Sequence, residues 1–274
     1  MLKERILVGV IGGIIAIVLL LLGPKVISIA LAFIALIGLS EIYNATGILK
    51  IQKKLCLASY LYCLAVFITL AFVPYKDFVL NIFAVAYALG LLIYAVFNHE
   101  YCGFDDVCKM FFQTMYVIFL FAHIILVRCL PYGSYLVWII FITAWLSDTT
   151  AFTVGKLFGR NKLLPEISPK KTIEGALGGL LGSVIFNLIF VAIVGAVKDW
   201  NVNYLSIIIL SLIAGVLSQL GDLVASSIKR EHNIKDYSNL LPGHGGVLDR
   251  FDSVLFVAPA VYYFVFIFPV FSIL

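Results

Sequence analysis

Between Ser226 and Asp252 the chain gathers, within 27 residues, the groups that phosphate and metal chemistry require. Asp249 and Asp252 stand three apart, so both can face one way at a helix start. Asp222 precedes them, and on a helix Asp222, Ser226 and Lys229 follow at i, i+4 and i+7, which is one face. Carboxylates with no excess of His or Cys suit Mg2+, a hard ion that takes oxygen ligands and keeps phosphates in its shell. Lys229, Arg230, Lys235 and Arg250 supply cations for phosphate. The turn Gly243-His244-Gly245-Gly246 leaves backbone N–H groups unobstructed, as phosphate cradles do. It leads into an expected helix N-terminus, which also favours anions. Taken singly, each element is what a basic loop with an ordinary Pro-Gly turn would contain; their combination points to a nucleotide and a divalent ion.

A second segment carries weaker signals of the same kind. Asp148 lies inside an apolar run, as does Asp222. A carboxylate within a membrane span costs several kcal/mol unless it is paired, so both are functional candidates, the alternative being an acid that only pairs with a neighbouring helix's cation. At 1.5 Å of rise per residue, Asp148 lies about 12 Å from Lys156, and Asp222 about 10 Å from Lys229. Both acids are thus expected below a charged surface and reachable from it. Ser168-Pro169-Lys170-Lys171-Thr172 reads as a compact cationic turn before a helix, where phosphate could bind; topology-setting lysines are the equal alternative. Gly175, Gly178, Gly179 and Gly182 form a small-residue stripe assigned to close helix packing.

The elements that must position these groups are transmembrane helices. Of the 274 residues 63% are hydrophobic and only 12% charged, and the mean hydropathy is +1.10. That composition excludes a soluble enzyme and a disordered chain. Runs of about 20 apolar residues are expected at 6–22, 26–43, 55–73, 78–97, 107–127, 134–155, 175–197, 204–226 and 251–274. They are too long, and lack the period-two alternation, for barrel strands. The expected fold is an all-α polytopic membrane protein of about nine spans. Alternate loops then divide the 19 lysines and arginines 15 to 4, which places the rich side, and the N-terminus, in the cytoplasm and the C-terminus outside. Residues 1–130 are expected to form a scaffold and residues 131–274 the catalytic region, with cytoplasmic loops at 156–174 and 227–250. The net charge of +4 gives no argument for nucleic acid. The five cysteines form no CxxC pair and read as small buried hydrophobes. Polar residues of the first half, Glu41 and Asn44 among them, read as solvated span ends.

The stretch from Ser226 to Asp252 resembles the signature of the phosphatidate cytidylyltransferases, or CDP-diacylglycerol synthases. That pattern runs from Ser-x-apolar-Lys-Arg through Lys-Asp to apolar-x-x-His-Gly-Gly-apolar-x-Asp-Arg-apolar-Asp. Ser226, Lys229, Arg230, Lys235, Asp236, His244, Gly245, Gly246, Asp249, Arg250 and Asp252 fill its specified positions. Ser147-Asp148-Thr149-Thr150 and Ser168 to Gly175 also look like that family's second cytoplasmic segment. The resemblance implies the reaction of CTP with phosphatidate to give CDP-diacylglycerol and pyrophosphate, in a Mg2+-dependent, dimeric enzyme of the cell membrane. It implies that Asp222 and Asp249 bind the metal, with K+ a further ion nearby.

The chemistry of the residues agrees with that implication. A phosphate monoester has its second pKa near 6 and is largely dianionic at pH 7, so the lipid phosphate needs no general base to attack the α-phosphorus of CTP. The difficulty is bringing anions together, which metal and cations relieve. His244 is therefore expected to donate a hydrogen bond or shape the loop. Lys170, Lys171, Lys229, Arg230 and Arg250 are the phosphate-binding candidates, with Asp148 and Asp252 in support. Two other functions fit less of the pattern: a related transferase acting on a prenol or ether lipid, and a cation-coupled transporter using Asp148 and Asp222.

Overall fold

The computed structural model describes residues 2–73 and 76–273, with the side chains of residues 2–8 and 273 outside that description. Lys3 and Arg5, two of the expected cytoplasmic cations, therefore lie outside the described side chains. The chain is mostly helical: α1 Leu2–Leu21, α2 Pro24–Ala45, α3 Ile48–Ile51, α4 Lys53–Phe72, α5 Lys76–Phe97, α6 Phe104–Arg128, α7 Gly133–Phe141, α8 Ser147–Phe158, α9 Ile173–Lys198, α10 Tyr204–Glu231 and α11 Leu248–Ile267. A π-helical segment, Ile142–Leu146, joins α7 to α8. Among the described residues eight helices are long and apolar enough to cross a membrane, counting Gly133–Phe158 as one. The apolar part of α1 described there, Gly9–Leu21, is shorter. The protein is a multi-pass membrane protein, since no other arrangement satisfies so many apolar helices.

Strands occur where none was expected. β1 (Lys162–Leu164) pairs antiparallel with β2 (Ser168–Thr172), and β3 (Trp200–Val202) with β4 (Phe271–Ile273). The segment Ser168–Thr172 is thus a strand of a small hairpin and not a compact turn. The last helix begins earlier and ends sooner than the run 251–274, because Phe271–Ile273 leaves the helix to pair with Trp200–Val202.

The chain divides into two compact units. The first comprises residues 1–125 and 236–250, the second 126–235 and 251–274. In the first, α2 packs on α4 and α4 on α5, around Leu39, Tyr43, Phe67 and Phe121, which are fully buried. Hydroxyl groups inside this apolar core satisfy one another, as they must without water. Tyr43 Oη lies 2.6 Å from Thr114 Oγ1, Tyr87 Oη 2.8 Å from the same atom, and Ser59 Oγ 2.7 Å from Tyr87 Oη.

In the second unit α9 packs against α8 and α10. The glycine stripe does the work expected of it: a Cβ on Gly178 would stand 2.5 Å from Val154 of α8. Thr172 caps α9 by accepting from the Gly175 N–H at 3.1 Å, and Asn203 caps α10 by accepting from Ser206 N–H at 3.1 Å, each satisfying one N–H that a helix start leaves open. Asn187 on α9 donates to Thr143 Oγ1 and Ser211 Oγ, tying three helices together in the core. Trp200 packs on Tyr132, Tyr135 and Phe271, an aromatic cluster of the kind found where helices leave the bilayer.

Candidate active site

Helix geometry in the second unit collects the acids that the sequence singled out. Asp222 on α10 and Lys171 on β2 form an ion pair at 2.6 Å, each side chain 26% exposed. Ser226, one turn after Asp222, donates to its Oδ1 at 3.3 Å, so the i, i+4 face expected on this helix is real. Asp252 on α11 experiences the charges of Asp222, Asp148 and Lys229. Ser253 binds both remaining acids: its Oγ donates to Asp148 Oδ2 at 3.3 Å, and its N–H to Asp252 Oδ1 at 2.7 Å. The close approach of α10 and α11 that makes this possible runs over Gly221, where a Cβ would stand 2.6 Å from the Asp252 carbonyl oxygen. Asp148 follows directly on the π-helical segment, an irregularity that recurs at functional sites because it re-aims the turn after it.

Three carboxylates, a buried Lys229 and a half-buried Lys171 thus share one region. Their partners are other side chains, which can be exchanged for a ligand without breaking the fold. Lys170, Arg230 and Arg250 are exposed, and Arg230 donates to the Ile234 carbonyl at 3.1 Å.

Asp249 stands in a different setting, in the first unit. It is buried and accepts two backbone N–H groups on Oδ2, from Tyr237 at 2.8 Å and Gly246 at 2.9 Å. The expected cradle at this helix start differs from the expectation. The N–H groups of Val247 and Leu248 donate to Glu41 at 2.8 Å each, and Ser238 Oγ donates to the same carboxylate at 2.6 Å. The N-terminus of α11 already holds an anion, supplied by the protein's own α2. Glu41 is therefore no solvated span end; it is 4% exposed. The signal was present in the sequence, since Glu41 falls inside the apolar run 26–43 just as Asp148 and Asp222 fall inside theirs. His244 sits on the turn before, half-buried, with Nδ1 buried and lacking a hydrogen-bond partner among the described residues. Gly245 takes a left-handed φ of 79°, which favours glycine.

Among the described residues no group of three or more His, Cys, Asp or Glu side chains forms a ready metal cage. Mg2+ does not need one: it is usually held by one or two carboxylates together with substrate phosphates and water.

Comparison with known proteins settles the family. The profile of the cytidylyltransferase family matches residues 3–268. The chain belongs to that family. A phosphatidate cytidylyltransferase of Staphylococcus haemolyticus is 35% identical over 260 residues, covering 94% of this chain and 96% of that protein. One from Bacillus subtilis is 34% identical over 275 residues, covering 97% and 98%. The cytidylyltransferase assignment makes the protein a nucleotidyltransferase and accounts for acids and lysines gathered at the ends of apolar helices.

Proposed function

We propose that this chain transfers the cytidylyl group of CTP to phosphatidate, giving CDP-diacylglycerol and pyrophosphate. Similarity over nearly the whole length to proteins named for that reaction carries the reading, and the carboxylate–lysine region of the second unit supports it. The lipid phosphate oxygen forms a bond to the α-phosphorus of CTP while the bond to the bridging oxygen breaks and pyrophosphate leaves. Lys171 and Lys229 neutralise the converging phosphates, with the exposed Lys170, Arg230 and Arg250 drawing CTP in from water. His244, through Nδ1, donates to a phosphate oxygen and moves no proton.

The donor set fits Mg2+, being made of carboxylate oxygens. Asp222 and Asp249 would hold it, with Asp148 and Asp252 in support and K+ as a further ion. When bound, the metal supplies charge neutralisation for the leaving pyrophosphate. The division of cations places this chemistry on the cytoplasmic side of the cell membrane, with the N-terminus inside, and the enzyme works as a homodimer. Purified protein in mixed micelles, given α-labelled CTP and phosphatidate, is expected to move label into the lipid phase. Label transfer only to a prenyl phosphate, or none with phosphatidate, would overturn the reading.

A further inference from the structure

We infer that Glu41, in the otherwise apolar α2, is a positioning residue for this reaction: it fixes the loop 236–248 and thereby the place of Asp249. The inference rests on the proposed reaction. Both oxygens of its carboxylate are used. Oε1 accepts from Ser238 Oγ at 2.6 Å and from Val247 N–H at 2.8 Å; Oε2 accepts from Leu248 N–H at 2.8 Å. Negative charge at the first turn of α11 is favoured by the helix dipole. Asp249 grips the same segment from its other end, through Tyr237 N–H and Gly246 N–H. The loop is thus held between two buried carboxylates, Glu41 from α2 and Asp249 from within α11.

Gly246 reports how tightly. A Cβ there would stand 2.5 Å from Glu41 Oε1 and 2.7 Å from its Cδ. The glycine is required by the acid: any side chain at 246 would push either the Glu41 carboxylate or the loop away. Leu248 extends the same contact, since a Cβ on Gly38, one turn before Glu41, would meet its Cδ2 at 3.0 Å. These contacts touch no substrate atom, so Glu41 acts only through the loop and Asp249.

The test uses full-length protein in nanodiscs. In Glu41→Gln one acceptor oxygen becomes an NH2 group facing a backbone N–H. Amides around 246–248 are expected to exchange with deuterium about tenfold or more faster, as loss of a charge-assisted hydrogen bond implies, while the thermal midpoint shifts little. The Mg2+ concentration for half-maximal label transfer and the KM for CTP are expected to rise by a similar factor, with kcat less affected. Gly246→Ala should reproduce this, and in a Glu41→Ala background it should add little, because its harm comes from the clash with Glu41. Unchanged exchange at 246–248, full additivity of the two substitutions, or a loss of activity that follows unfolding with KM and Mg2+ dependence intact would each overturn the inference. Absence of label transfer by the unaltered protein would instead overturn the proposed reaction, and the exchange data would still judge the anchoring of the loop.

Discussion

The two units use carboxylates in opposite ways. In the first, Glu41 and Asp249 are buried and accept backbone N–H groups of the loop they flank. In the second, Asp148, Asp222 and Asp252 meet hydroxyls, lysines and one another. A carboxylate bonded to backbone N–H groups is part of the architecture, because its loss leaves buried donors unmet. A carboxylate paired with a lysine side chain can exchange that partner for an incoming ion or phosphate. The chain therefore separates acids that build the loop from acids that are free to change partners, although all five look alike in an apolar sequence.

Substituting Asp222 by Asn tests the exchangeable class most severely. Label transfer is expected to fall about a thousandfold or more, the several kcal/mol that metal neutralisation of a phosphoryl transition state supplies. Its thermal midpoint should stay near that of the unaltered protein, since only Lys171 and Ser226 lose a partner. Asp249→Asn is expected to lose turnover as well, but with a destabilisation of about 1–3 kcal/mol, read as a lower thermal midpoint in detergent. Equal stability of the two variants would break the comparison. Replacing Lys171 by Gln should reduce kcat/KM for CTP roughly ten- to a hundredfold, as expected for losing one charged contact to phosphate; a change confined to stability would show that the lysine only neutralises Asp222. The smallest effect belongs to Thr172→Ala, which removes the cap of α9 and costs about 1 kcal/mol, measured as a shift in midpoint with kinetics preserved.

The spans were legible because a backbone in hydrocarbon has to satisfy itself, which forces helices on any apolar run of sufficient length. The clustering of Asp148, Asp222 and Lys229 was legible for a related reason: a charge inside such a run is costly unless something holds it. Pairing between distant segments was not. Phe271–Ile273 is as apolar as the helix before it, and nothing local says that it leaves α11 to pair with Trp200–Val202. Ser168-Pro169-Lys170-Lys171 has no strand propensity of its own, and becomes β2 only through Lys162–Leu164. Glu41 was misjudged because it lies near the end of its run, where an acid in water and an acid on a helix N-terminus have the same sequence appearance. The glycine turn was recognised as an anion site, but the anion is internal, and that depends on a residue two hundred positions away.

That distance bears on how the protein is made. Glu41 precedes its partners Val247 and Leu248 by 206 and 207 residues. During synthesis its helix leaves the ribosome and enters the bilayer long before the amides that receive its charge exist. The nascent chain therefore carries an unsatisfied acid through most of its insertion, and the first segment can settle only when almost the last one arrives.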